Sequence, residues 1–183
     1  MNNVMIDIET LGVTPGSIIL SIGAVEFDES NLGDVFHMGI DWKDSVKQGL
    51  HVDASTAMWW IGQSQEAQTA INNITANALQ LNVVLAKFAT AFKDWPTKKL
   101  WCNGASFDIP LLVAAHRAVN MVQPWKYSNE MDMRTIKGLF GKVAWDQLAE
   151  RPTVAHDGLA DAIAQARSLQ AALKSIGASK WLS

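Results

Sequence analysis

The chain has little of several things, and each scarcity excludes something. It carries one cysteine, Cys102, so no intramolecular disulfide can form, and a reducing compartment is the expected setting. No apolar run approaches the roughly 18 residues that a membrane-spanning helix needs, so no membrane partner is expected. No basic stretch followed by an apolar one opens the chain, which leads us to expect a cytoplasmic protein. There is no basic excess either. Fifteen Lys and Arg against eighteen Asp and Glu give a net charge of −3. That argues against a broad basic surface coating a nucleic-acid duplex, but not against an enzyme that grips one strand end. Tyrosine occurs once, as Tyr127, and we find no internal repeat, low-complexity tract or linker. What remains is an ordinary globular composition, 49% hydrophobic and 18% charged, over 183 residues. That is enough chain for one domain, residues 1–183, with a substantial core.

The informative stretch is Val4-Met5-Ile6-Asp7-Ile8-Glu9-Thr10. Alternate residues of a strand share a face, so Asp7 and Glu9 point the same way, roughly 6–7 Å apart. Two carboxylates at the end of a strand fit for burial repel each other and resist desolvation. A divalent cation relieves both costs, whereas a wet edge strand would leave the pair merely solvated. Behind a turn at residues 10–16, Ser17 to Phe27 and Val35 to Ile40 read as two further strands, completing an antiparallel meander.

Residues 41–76 read as mostly helix and loop, with Ser55 and Ser64 as caps of successive helices. A clearer helix is expected from Asn77 toward Pro96, then a fourth strand, Leu100 to Asn103, stopped by Gly104. A helix from Phe107-Asp108 to about Val119 follows, and Trp125-Lys126-Tyr127 is expected as a fifth strand. Asp132 is expected to cap a helix ending near Gly141, and a final helix spans about Asp157 to Ser175 with an apolar stripe. A meander followed by alternating helices and strands predicts an α/β domain with a mixed sheet of about five strands flanked by helices.

Two later carboxylates join the first pair. Asp108 stands where a strand passes into a helix, on the sheet end where such folds place their sites. Asp161 lies one turn into the last helix, and His156 just before it, where the helix dipole favours a neutral, proton-accepting ring. Oxygen-rich, thiol-free ligation suits Mg²⁺ or Mn²⁺.

Asp7-Ile8-Glu9-Thr10, Asn103-Gly104-Ala105-Ser106-Phe107-Asp108 and His156-Asp157-Gly158-Leu159-Ala160-Asp161-Ala162 resemble, in order and context, the three motifs of the DnaQ-like DEDDh exonuclease superfamily, which has an RNase H-like fold. Ala57-Met58-Trp59-Trp60, Gln63 to Ala67 and Asp132-Met133-Arg134-Thr135 resemble its compact branch of RNase AS-like and phage-encoded exonucleases. The tyrosine subtype needs Tyr four residues before the last Asp, but Asp157 stands there, and His156 fits the histidine subtype. Asp157 itself reads as the helix N-cap rather than a ligand.

The resemblance implies a 3′–5′ exonuclease acting on single-stranded nucleic acid and releasing nucleoside 5′-monophosphates. It implies two Mg²⁺ or Mn²⁺ ions held by Asp7, Glu9, Asp108 and Asp161, with His156 as general base. It also implies a terminal-nucleotide pocket lined by Thr10, Leu11 and Gly12. Trp59 and Trp60 could stack on bases or pack in the core, while Trp101 and Cys102 read as core. His37, His51 and His116 read as structural or solvated. DNA and RNA are not distinguished, a homodimer is left open, and the rival readings are another phosphohydrolase and a non-catalytic binding domain on this fold.

Overall fold

The computed structural model describes residues 1–183. Its centre is a five-stranded mixed sheet in the order β3-β2-β1-β4-β5. Strands β1 (Asn3–Thr10), β2 (Ile19–Phe27) and β3 (Leu32–Gly39) form the antiparallel meander. Strand β4 (Lys99–Cys102) runs parallel to β1, and β5 (Glu130–Asp132) parallel to β4. The fifth strand is therefore not Trp125-Lys126-Tyr127. Trp125 is buried among aromatic rings, with its indole N–H donated to Glu130 Oε1 at 3.0 Å, and Tyr127 is exposed in a short 3₁₀ turn. Of the two aromatic residues that suggest a strand, Trp125 serves the core and Tyr127 faces solvent.

Seven helices surround the sheet: α1 (Trp42–Lys47), α2 (Ala54–Ile61), α3 (Gln65–Ala76), α4 (Leu81–Ala91), α5 (Asp108–Ala118), α6 (Met133–Leu148) and α7 (Gly158–Ser175). Ser64 caps α3 as expected, through Ala67 N, but α2 is capped by Asp53 rather than Ser55. Helix α4 begins four residues later than Asn77, because Leu79 bridges to Ile40 and the Asp44 carboxylate accepts from Leu81 N. Asp132 caps α6, which continues past Gly141 after a kink where that glycine takes φ +66°.

The period of two in β1 sorts its side chains. Val4, Ile6 and Ile8 enter a core shared with Phe88, Trp95 and Leu112 of the α4–α5 side. Met5 faces the opposite way, into a smaller core with Trp101 and the Ala162, Ala166, Leu169 and Ala172 face of α7. Asp7 and Glu9 continue that second row toward the strand's end, so the carboxylates lie on the face that α7 covers.

Candidate active site

Helix α7 reaches the carboxylates because two glycines let it come close. Asp7 pairs with Gly23 across β1 and β2. A Cβ on Gly23 would lie 2.0 Å from the carbonyl carbon of Gly158, and one on Gly158 would lie 3.1 Å from Asp7 O. No side chain larger than hydrogen fits between strand and helix there. Asp157 caps the helix, its Oδ1 accepting from Ala160 N at 2.9 Å, and so acts as the predicted cap.

The result is a convergence of acids. Carboxylate oxygens of Asp7, Glu9 and Asp161 lie within 4.8 Å of one another. Burial, then repulsion from Asp108, Glu9 and Asp161, raises the Asp7 carboxyl well above its ordinary range. Burial and the charges of Asp161, Asp157 and Asp108 push Glu9 up to about 8. Asp161 is raised chiefly by burial. Asp108, buried at the start of α5, stands outside the close group but repels Asp7; burial raises it to about 7, although backbone N–H groups and Arg134 draw it down. Carboxyls held above their ordinary range by burial and mutual repulsion lack a positive charge, and oxygen donors at this spacing fit a hard divalent cation.

One neutral neighbour was not foreseen. Gln165, one turn beyond Asp161 on the same helix face, donates Nε2–H to Asp7 Oδ1 at 2.7 Å, leaving its own Oε1 buried without a partner. The only signal for it in the sequence is its i+4 spacing from Asp161.

His156 takes left-handed backbone angles, φ +60°, an uncommon conformation for a non-glycine residue. Its ring meets Trp59 edge to face at 4.9 Å between centroids and lies 6.1 Å from Trp60. Trp60 is buried and donates its indole N–H to Thr10 O at 2.8 Å, whereas Trp59 is 45% exposed. Glu9, Thr10, Thr56, Trp59 and Trp60 are among the residues lining a cleft of about 380 Å³. Leu11 does not line it. It joins Trp60 in a separate apolar hollow between β2 and the helices, and Gly12 is packed against Ser17. The other histidines lie outside the acidic group. His51 Nε2 is 3.2 Å from Ser17 Oγ, His116 is buried with Nδ1 on Leu112 O, and His37 Nε2 is 3.9 Å from Asp157.

A mixed sheet with acidic residues gathered at one end of its first strand, under a C-terminal helix, is the arrangement of the DnaQ-like exonuclease superfamily. Within it, the family model described as the 3′-5′ exoribonuclease Rv2179c-like domain matches residues 2–173, and the chain belongs to that family. An exodeoxyribonuclease of Enterobacteria phage T4 is 28% identical, over 74% of this chain and 70% of the phage protein. Escherichia coli exonuclease I in complex with a dA16 oligonucleotide superposes with a TM-score of 0.65 at 14% identity, covering 98% of this chain and 42% of that one. Cell-death related nuclease 4 gives 0.64 at 13% identity, over 97% of this chain and 64% of that nuclease. At these identities the likeness is one of fold, and the chain spans less than half the length of exonuclease I.

Proposed function

We propose that this protein is a metal-dependent 3′–5′ exonuclease acting on single-stranded nucleic acid, with the whole chain as one exonuclease domain. The observation that carries the reading is the group of Asp7, Glu9 and Asp161 oxygens within 4.8 Å, in a chain of this family. Those three residues would hold one Mg²⁺ or Mn²⁺, and Asp7 with Asp108 a second. Bound ions supply Lewis acidity and offset the negative charge that builds on the phosphoryl oxygens. The protein's own groups do the rest. The imidazole of His156 takes the proton of the attacking water as its oxygen bonds to phosphorus. The bond from phosphorus to the 3′ oxygen of the preceding nucleotide breaks, that oxygen keeps the electron pair and takes a proton from solvent water to become the new 3′-hydroxyl, and a nucleoside 5′-monophosphate leaves. The cleft beside Glu9 and Trp59 receives the terminal nucleoside, with Trp60 fixing the Thr10 edge through its indole bond.

The test is digestion of matched 5′-labelled DNA and RNA single strands with Mn²⁺ or with EDTA. Shortening from the 3′ end with release of 5′-monophosphates, lost in EDTA and in Asp7→Ala, is expected. Binding without any shortening in Mn²⁺ would instead identify a non-catalytic domain. The ratio of the two rates measures whether the site favours a 2′-hydroxyl.

A further inference from the structure

One basic side chain stands beside the acidic centre without a partner. Asp132 caps α6 by accepting from Arg134 N at 3.1 Å, and the same carboxylate oxygen lies 3.4 Å from Ala105 N in the turn leading to Asp108. That shared acceptor ties the first turn of α6 to the Gly104-Ala105 turn. Gly104 is buried with φ +127°, and a Cβ there would fall 2.8 Å from Arg134 Cζ and 3.0 and 3.1 Å from its two terminal nitrogens. Three similar distances, shortest at the carbon, mean that the guanidinium lies flat across the glycine. Its N–H edges are not spent in that contact.

Nothing else in the protein takes up this charge. The salt bridges are Lys98–Glu26, Lys142–Asp146 and the long His37–Asp157 contact, and Arg134 is in none of them. The residue is exposed, yet its charge reaches the Asp108 carboxyl. An arginine present only to neutralise Asp108 would be expected to close on it as a bidentate pair. This one is exposed and makes no ion pair, in a chain of net charge −3. A planar fork of donors beside a phosphodiester-cleaving centre suits a phosphate oxygen.

We propose that Arg134, seated on Gly104, grips a non-bridging phosphate oxygen of the nucleic-acid backbone as the strand lies across the acidic centre. The assignment rests on the exonuclease reading above and adds a substrate contact to it. The glycine itself is required by its backbone, φ +127°, and its bare Cα leaves the face on which the guanidinium rests.

The test compares wild type with Arg134→Ala and Arg134→Lys on a 5′-labelled single strand in Mn²⁺ across a salt series, with anisotropy of the same oligonucleotide in EDTA. Arg134→Ala is expected to raise KM about 10–100-fold, the scale of losing a charged hydrogen bond, with kcat little changed. Its plot of log kcat/KM against log salt should become shallower by about 0.7, one single-strand phosphate contact. Arg134→Lys should keep the slope and recover part of the affinity. The Mn²⁺-induced rise in melting temperature should stay that of wild type in Arg134→Ala. Unchanged KM and salt slope in Arg134→Ala, or a fall in kcat with a weakened Mn²⁺ response, would overturn the proposal. If wild type shortens no strand, the exonuclease reading fails separately, and the anisotropy comparison still decides whether Arg134 binds the backbone.

Discussion

The two faces of the sheet are built to opposite rules. On one, Phe36, Phe88, Phe92, Trp95 and Trp125 join through ring contacts of 5.2 to 6.4 Å and fill the space beneath Ile6 and Ile8 with large apolar volume. On the other, α7 meets the strands through Ala162, Ala166 and Ala172, and through the approach of Gly158 to Gly23. Bulk excludes water and anchors the fold. Small residues allow the helix backbone to approach until Asp161 reaches the carboxylates of β1. A single strand serves both, because successive side chains point to opposite faces. Stability and chemistry are thus separated by one residue step, and a substitution on either face should show which it serves.

The largest effect is expected from Asp7→Ala. Turnover should vanish, while in EDTA the melting temperature should equal or exceed that of wild type, since one member of a mutually repelling group is gone. Mn²⁺ should stabilise wild type by mass action and the variant much less. Unfolding of Asp7→Ala at low temperature, with wild type indifferent to metal, would make the carboxylates structural and end the distinction between the faces.

His156→Ala should lose about 10²–10⁴-fold in kcat, the usual contribution of a general base, while KM and the Mn²⁺ midpoint stay near wild type. A large drop in Mn²⁺ affinity, with turnover restored by excess metal, would place His156 among the ligands instead.

The faces can be set directly against each other. Phe88→Ala on the aromatic side should cost about 3–5 kcal/mol of stability, yet leave kcat per folded molecule unchanged. Gly23→Ala should cost less, about 1–3 kcal/mol as the backbone yields to the new Cβ, but it should weaken the Mn²⁺ response by moving Asp161 from Asp7. Chemical denaturation and Mn²⁺ thermal titration of both variants are the measurements. If Phe88→Ala impaired metal binding as much as Gly23→Ala, the division of labour would be wrong.

How far this could be read in the sequence follows from the range of the forces. The Asp7 and Glu9 row, the Asp132 and Asp157 caps and the Asp108 position come from local periodicity and capping, and all four stand where expected. The fifth strand does not, because Trp125 and Tyr127 suit a strand by propensity, while burial of Trp125 against Phe88 and Trp95 decides where that segment lies. Gln165 carries no charge, and its meaning depends on a partner 158 residues away in the chain. The side on which Leu11 lies is not legible either, because the bulge between Glu9 and Thr10 ends the regular alternation just before it. The left-handed turn of His156 and the contacts of its ring with Trp59 and Trp60 are announced by no local pattern.

The last predicted effect is a drift of stability with pH, confined to the α7 face. Folding raises the carboxyls of Glu9 and Asp108, to about 8 and about 7, and those of Asp7 and Asp161 as well, above their unfolded values near 4. Between roughly pH 4.5 and 8 the folded protein therefore binds more protons than the unfolded chain. Raising the pH through this window strips protons that only the folded state retains, so stability falls with increasing pH. In EDTA the melting temperature should decline steadily from pH 5 to pH 8. Saturating Mn²⁺ should reverse the trend, because the metal binds the deprotonated oxygens and competes with protons. Asp7→Ala should flatten the metal-free slope, whereas Phe88→Ala should shift the whole curve downward without changing it. A wild-type melting temperature that rose from pH 5 to pH 8 in EDTA would mean that the carboxylates already have a positive partner, and the case for a cation between them would fall.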